Sequence, residues 1–289
     1  QCPSRTDEDI GAKLRTIGVP YLVLTALYCV VPFGFLGKDP MPALFPLTYG
    51  GLAHALQRYA QYLTTGSTFA AYWYVPFILL MFAASPLFVH FIRWTRPRQL
   101  AVFGAALLLS LLVHRPDQNH NPFHSALYFT SAYLFGILVS MHRATVFAFV
   151  KRETWALSIG LGAAAVLKVL LDGHHDHRHK LDIFAYEGID VFLLEKFLQT
   201  LVILSVLLRF TDRRIALANY VAERSFAVFF IHGWVLAALT VIVMPSITMP
   251  VPGGFVFLVR FGLTFGLSLA AAELVRLTLK QHSKYLIGW

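Results

Sequence analysis

The sequence predicts an all-α integral membrane protein, a bundle of about eight transmembrane helices with both termini cytoplasmic. Composition is the first reason. Of 289 residues, 57% are hydrophobic and 13% charged, whereas an ordinary soluble domain has about 25% charged residues. The mean hydropathy of +0.63 agrees. Patterning is the second reason, because eight apolar stretches, most of them close to the about 20 residues that cross a bilayer, fill most of the chain. The placement of Lys and Arg is the third.

Taken in order, the stretches are residues 17–36, 69–92, 100–113, 125–141, 155–171, 189–208, 226–244 and 255–277. A polar lead-in, residues 1–16, precedes the first, and a polar tail, residues 278–289, follows the last, so residues 17–277 form the membrane domain. The second stretch is aromatic at its start and carries Pro86. The third is short, but Arg98 and His114 flank it as basic groups flank a crossing. Arg143, Lys151 and Arg152 separate the fourth from the fifth. The sixth holds Glu195 and Lys196, the seventh His232, and the eighth Arg260 and Glu273, at depths where ionisable groups are costly.

With Gln1 inside, sixteen of the 24 Lys and Arg fall in cytoplasmic connections, five in outer ones and three within spans. Omitting the short third span puts every later basic cluster on the wrong side, so the charges support it. The outer connections are the longer ones. Residues 37–67 contain LAHALQRYAQYL, residues 52–63, read as an interfacial helix with Leu52, Leu56, Tyr59 and Leu63 on one face. HRPDQNHNPFH, residues 114–124, and DGHHDHRHKLDIFAYEG, residues 172–188, gather polar groups on the same side.

The net charge of +9 is therefore read as loop orientation, and no nucleic-acid partner is expected. Cys2 and Cys29 are too few and too unlike in setting for a disulfide framework. QCPSRTDEDI lacks an initiator Met and is too polar for a signal peptide, so the chain is expected to begin inside a longer protein.

Several residues can carry chemistry. His174, His175, His177 and His179 surround Asp176; alternate histidines of an extended segment face one way and can converge on zinc, while a solvated loop rich in histidine by composition is the preferred reading. Glu195 and Gln199 lie four apart and share a helix face that either lines a polar cavity or bonds to a neighbouring helix. His232, alone among the aromatics of SFAVFFIHGW, needs either a helix partner or an aqueous cavity in which it moves protons. Lys168 and His90, near helix ends, are read as snorkelling. No nucleophile elbow, phosphate-binding glycine loop or paired-cysteine zinc motif is present.

The order of several landmarks resembles the acyltransferase 3 family of multi-spanning membrane O-acyltransferases, including its glucan succinyltransferase-like branch. AKLRTIGVPYLVL, residues 12–24, is similar to the family's basic lead into its third helix. FAAYWYVPFILLMFAASPLF, residues 69–88, resembles its fourth, with Trp73 and Tyr74 on the aromatic pair and Pro86 on a recurrent proline. YFTSAYLFGILVSM, residues 128–141, resembles an aromatic-Gly helix; SFAVFFIHGWVL, residues 225–236, a late Ser-aromatic-x-His signature; and Glu273 with KYLIGW the end of the domain.

The resemblance implies a truncated enzyme, the eight spans being the third to tenth of ten, with the family's His base on a first helix outside this chain. It implies transfer of an acyl group from cytoplasmic acyl-CoA to a hydroxyl of an extracytoplasmic glycan or similar acceptor, without cofactor or metal, by a multi-pass protein of the cell's inner (plasma) membrane. Lys13 and Arg15 are placed for the donor's phosphates, with Trp73, Arg260 and Glu273 as further substrate contacts. His232 and Glu195 are the in-membrane proton carriers. A transporter or metal-handling protein using the His-rich outer loop is the alternative; against it, the chain has no internal repeat and no matched pair of interrupted helices.

Overall fold

The computed structural model describes residues 7–30, 51–69, 71–172, 180, 182–184, 188–211, 213, 215–242 and 253–288. The chain forms two compact units, residues 1–79 with 215–289 and residues 80–214. Among the described residues the regular structure is helical, with no strand beyond one isolated bridge.

In the first unit, α1 (Asp7–Val30) packs against α2 (Gly51–Thr65). The Tyr21 hydroxyl shares its proton between the carbonyls of Tyr62 and Leu63, at 2.9 Å from each, which ties α1 to the end of α2. Of the face expected for this helix, Tyr59 donates to the Leu22 carbonyl of α1 at 3.0 Å and Leu63 packs on the core, while Leu56 is 58% exposed. Gly66 ends α2 at φ +68°, and a side chain there would strike the backbone of Tyr72 and Trp73. This close turn leads into α3 (Tyr74–Ala83). The core is Tyr21, Leu24, Tyr72, Val75 and Phe230, and the Tyr72 hydroxyl donates to the Phe230 carbonyl at 2.7 Å.

Phe230 lies on α10 (Ala216–Ile242), which pairs with α11 (Gly253–Leu279). At 27 residues each, these helices are about 40 Å long, more than the about 30 Å of a bilayer's hydrocarbon. Within the expected tail, residues 278–289, α12 (Ser283–Ile287) packs on α1 and buries Ile287.

The second unit is built from α4 (Ser85–Arg93), α5 (Arg96–Val113), α6 (Pro122–Met141), α7 (Arg143–Arg152), α8 (Thr154–Asp172) and α9 (Val191–Leu207). The expected span over residues 69–92 is a pair, α3 and α4, bent by 56° around Ala84. Pro86, in the first turn of α4, has no N–H for the helix ladder and explains the break. Helices α5 and α6 pack through a buried Ser110 to Ser131 hydrogen bond of 2.8 Å, and α8 packs on α9. Asn121 caps α6, accepting from the N–H groups of Phe123 and His124, and Asp190 caps α9 through Leu193 N–H.

Five described helices are long and apolar enough to cross a membrane, six when the bent pair counts as one. The other two expected stretches also fall on helices: α9 has 17 residues, and in α1 the apolar part is Arg15–Cys29. Residues 31–36 of the first stretch lie outside the described residues.

Candidate active site

Between α10 and α11 the first unit holds a cavity of about 450 Å³. Phe257, Phe261 and Phe265 form one wall, spaced four apart on α11 so that their rings stack, and Val228 and Leu236 face them from α10. The polar residues lining it are His232, Arg260 and Thr264.

His232 sits one turn beyond Val228, and its Nδ1 lies 3.1 Å from the Val228 carbonyl oxygen. A carbonyl only accepts, so Nδ1 is the donor in this bond. Of the two neutral tautomers, that bond selects the one whose Nε2 can take a proton from a hydroxyl. Gly233 makes room on the other side of the helix: a Cβ there would stand 2.7 Å from Cγ of Phe69. The motif therefore has a packing reason for its glycine beside its histidine.

Arg260 reaches across to α10, where Nη2 donates to Thr240 Oγ1 at 2.8 Å. Its Nε and the Thr264 hydroxyl are buried and have no hydrogen-bond partner among the described residues. One turn apart on α11, they present unmet polar capacity beside the cavity, which is costly unless a ligand or water uses it. An imidazole, a guanidinium and a hydroxyl lining one apolar pocket suit the activation of a hydroxyl and the stabilisation of an oxyanion.

The acyltransferase domain family matches residues 10–273. The chain belongs to the acyltransferase 3 family. No curated protein and no solved structure matches it. It is an acyltransferase, and its apolar helices make it a multi-pass membrane protein. Within this acyltransferase the match runs from the start of α1 nearly to the end of α11, and so includes His232 and Arg260.

The other expected site residues stand elsewhere. Glu273 is held by Arg224 Nε at 2.6 Å, by Arg276 Nε at 3.1 Å and by the Tyr220 hydroxyl at 3.0 Å, an ion-pair clasp joining α10 to α11. Trp73 occupies the turn before α3, its ring 6.0 Å from those of Tyr74 and Phe77. Arg15 is exposed on α1, and the side chain of Lys13 lies outside the described residues. Glu195 belongs to the second unit, between Lys168 and Lys196 at 3.9 Å each. Lys168 thus joins an ion pair, and its Nζ also lies 4.8 Å from the centroid of the Phe192 ring. Gln199 accepts from Lys196 at 2.9 Å. His174, His175, His177 and His179 lie outside the described residues, among which no group of three His, Cys, Asp or Glu is arranged to hold a metal.

Sequence reasoning missed Thr264 and the environment of Lys180. Read as part of a solvated loop, Lys180 is buried, and its Nζ donates to the Leu112 carbonyl at 2.8 Å. Its backbone also bridges Arg115 and Asp117, so the two polar connections of the second unit clasp each other. No periodicity marks such a pairing.

Proposed function

We propose that this acyltransferase moves an acyl group from cytoplasmic acyl-CoA to a hydroxyl of an extracytoplasmic glycan or similar acceptor, with His232 as the base that this chain supplies. The observation that carries the proposal is the Nδ1 to Val228 hydrogen bond, which leaves Nε2 as the acceptor in the cavity that Arg260 also lines. In this reading the acceptor hydroxyl gives its proton to Nε2 as its oxygen bonds to the thioester carbonyl carbon. Arg260 and Thr264 hold the resulting oxyanion. The carbonyl re-forms, the carbon–sulfur bond breaks, and the departing thiolate takes the proton back from the imidazolium. Glu195, already paired with two lysines, takes no step. Lys13 and Arg15 meet the donor's phosphates, a role in which a guanidinium's paired donors differ from a lysine's single point.

The test is transfer from radiolabelled acyl-CoA in membranes containing the protein. His232→Gln keeps the size and polarity of the residue without a base, so turnover should fall by roughly a hundredfold or more while insertion is unchanged. Full activity of that variant overturns the assignment of the base. Arg15→Lys should raise KM for acyl-CoA with little change in kcat; an unchanged KM reduces Arg15 to an orientation signal.

A further inference from the structure

Val228, His232, Leu236 and Thr240 follow one another along α10 at intervals of four residues. The first three line the cavity, and the fourth bonds Arg260 from outside the lining. Two side chains of this row hold the carbonyl one turn back. His232 Nδ1 donates to Val228 at 3.1 Å, and the Thr240 hydroxyl donates to Leu236 at 2.8 Å. The first bond orients the imidazole; the second has no part yet in the transfer.

A hydroxyl has one proton to give. Thr240 gives its proton to Leu236, so Oγ1 meets Arg260 as an acceptor, and Nη2 donates to it at 2.8 Å. From guanidinium to hydroxyl to carbonyl, each donor therefore finds an acceptor. An arginine without such a hold samples many rotamers, and one near a helix end extends toward the membrane boundary. Arg260 stands about two turns from the Gly253 start of α11, within reach of that boundary. The bond to Thr240 holds it across to α10 instead.

Because the guanidinium is a rigid plane, fixing Nη2 also sets the direction of Nε–H. Nε is the nitrogen that is buried with no hydrogen-bond partner among the described residues, on a side chain that lines the cavity. No carboxylate lines the cavity to turn the plane another way, and Glu273, the acid of α11, is held by Arg224, Arg276 and Tyr220. We propose, resting on the acyl-transfer reading of this cavity, that Thr240 is a positioning residue: through Nη2 it sets the guanidinium plane so that Nε meets the oxyanion.

Two readouts test this, with all variants compared at equal insertion. Thr240→Val keeps the shape of the side chain and removes the hydroxyl, so kcat for transfer from radiolabelled acyl-CoA should fall roughly tenfold with KM unchanged. Thr240→Ser keeps the hydroxyl and should recover most of the turnover. In an Arg260→Met background Thr240→Val should cost nothing further, because the group it orients is gone. Arginine ¹⁵N NMR of the full chain in detergent reads the hold directly, the Arg260 signals being assigned by their loss in Arg260→Met. Nη2 should be distinct from Nη1 in the wild type and in Thr240→Ser, and the two should average in Thr240→Val. Averaged signals in the wild type, a wild-type kcat in Thr240→Val, or a tenfold loss that persists in the Arg260→Met background each overturns the proposal. Full turnover of Arg260→Met, or no acyl transfer by the wild type, refutes the acyl-transfer role of Arg260 and the proposal together. A loss in Arg260→Met with none in Thr240→Val refutes the role of Thr240 alone.

Discussion

The hydroxyl of Tyr128 and the carboxylate of Asp190, 62 residues apart, meet at 2.8 Å in the interior of the second unit. Asp190 is 8% exposed and caps α9 with its other oxygen, so one residue starts a helix and fastens it to α6. Tyr128→Phe removes a donor from a buried carboxylate and should cost roughly 1–3 kcal/mol of stability. Unfolding of Tyr128→Phe, Asp190→Asn and the double variant in detergent checks this through a double-mutant cycle. Strictly additive effects would show that the pair has no coupling.

Arg260 should be more exacting than its charge requires. Its Nη2 is already given to Thr240, and Nε faces the demand of the cavity, so Arg260→Lys loses the two-point geometry while keeping the charge. The expected result is a fall in kcat of about a hundredfold, the scale of a lost oxyanion donor, with a smaller change in KM. A kcat like that of the wild type in Arg260→Lys assigns the residue to helix packing alone.

Glu273 is expected to matter for stability rather than for turnover. Its contacts with Arg224 and Tyr220 hold α11 to α10, the two helices that line the His232 cavity, and Arg276 braces it within α11. Glu273→Gln should lower the thermal midpoint in detergent by several degrees and leave KM for the acyl donor unchanged. A raised KM with an unchanged midpoint returns Glu273 to the substrate.

Topology offers an independent check. The distribution of Lys and Arg puts Arg96, Lys151, Arg213 and Lys280 on the cytoplasmic side and Asp117 and His177 on the other. Single cysteines at residues 117 and 151, in a background with Cys2 and Cys29 replaced, should react with impermeant reagents from opposite sides. Reaction of both from one side would falsify the orientation of every helix between them.

The helices were legible because their causes are local. Each stretch of apolar residues near the bilayer length must satisfy its own backbone, and in a membrane only a helix does so within one segment. Pro86 stood in view as well, but its effect, a bend of 56° inside one apolar stretch, depends on how the freed end of α3 and the start of α4 are held. His232 and Arg260 could be singled out for their cost in a span. That they line one cavity was not legible, since 28 positions separate them in the sequence and each lies on a different helix.

By itself, the sequence determined the membrane class, the helical fold and the few ionisable groups that a membrane interior must accommodate, because hydropathy and the cost of buried charge act residue by residue. Tertiary structure alone decided which of those groups are spent on one another. Glu273 goes to Arg224, Glu195 to Lys168 and Lys180 to a backbone carbonyl, while His232 and Arg260 line a cavity with buried polar capacity still unmet. An ion pair or a free lone pair is a matter of a few ångströms between helices far apart in the chain, and no local pattern of side chains encodes that distance.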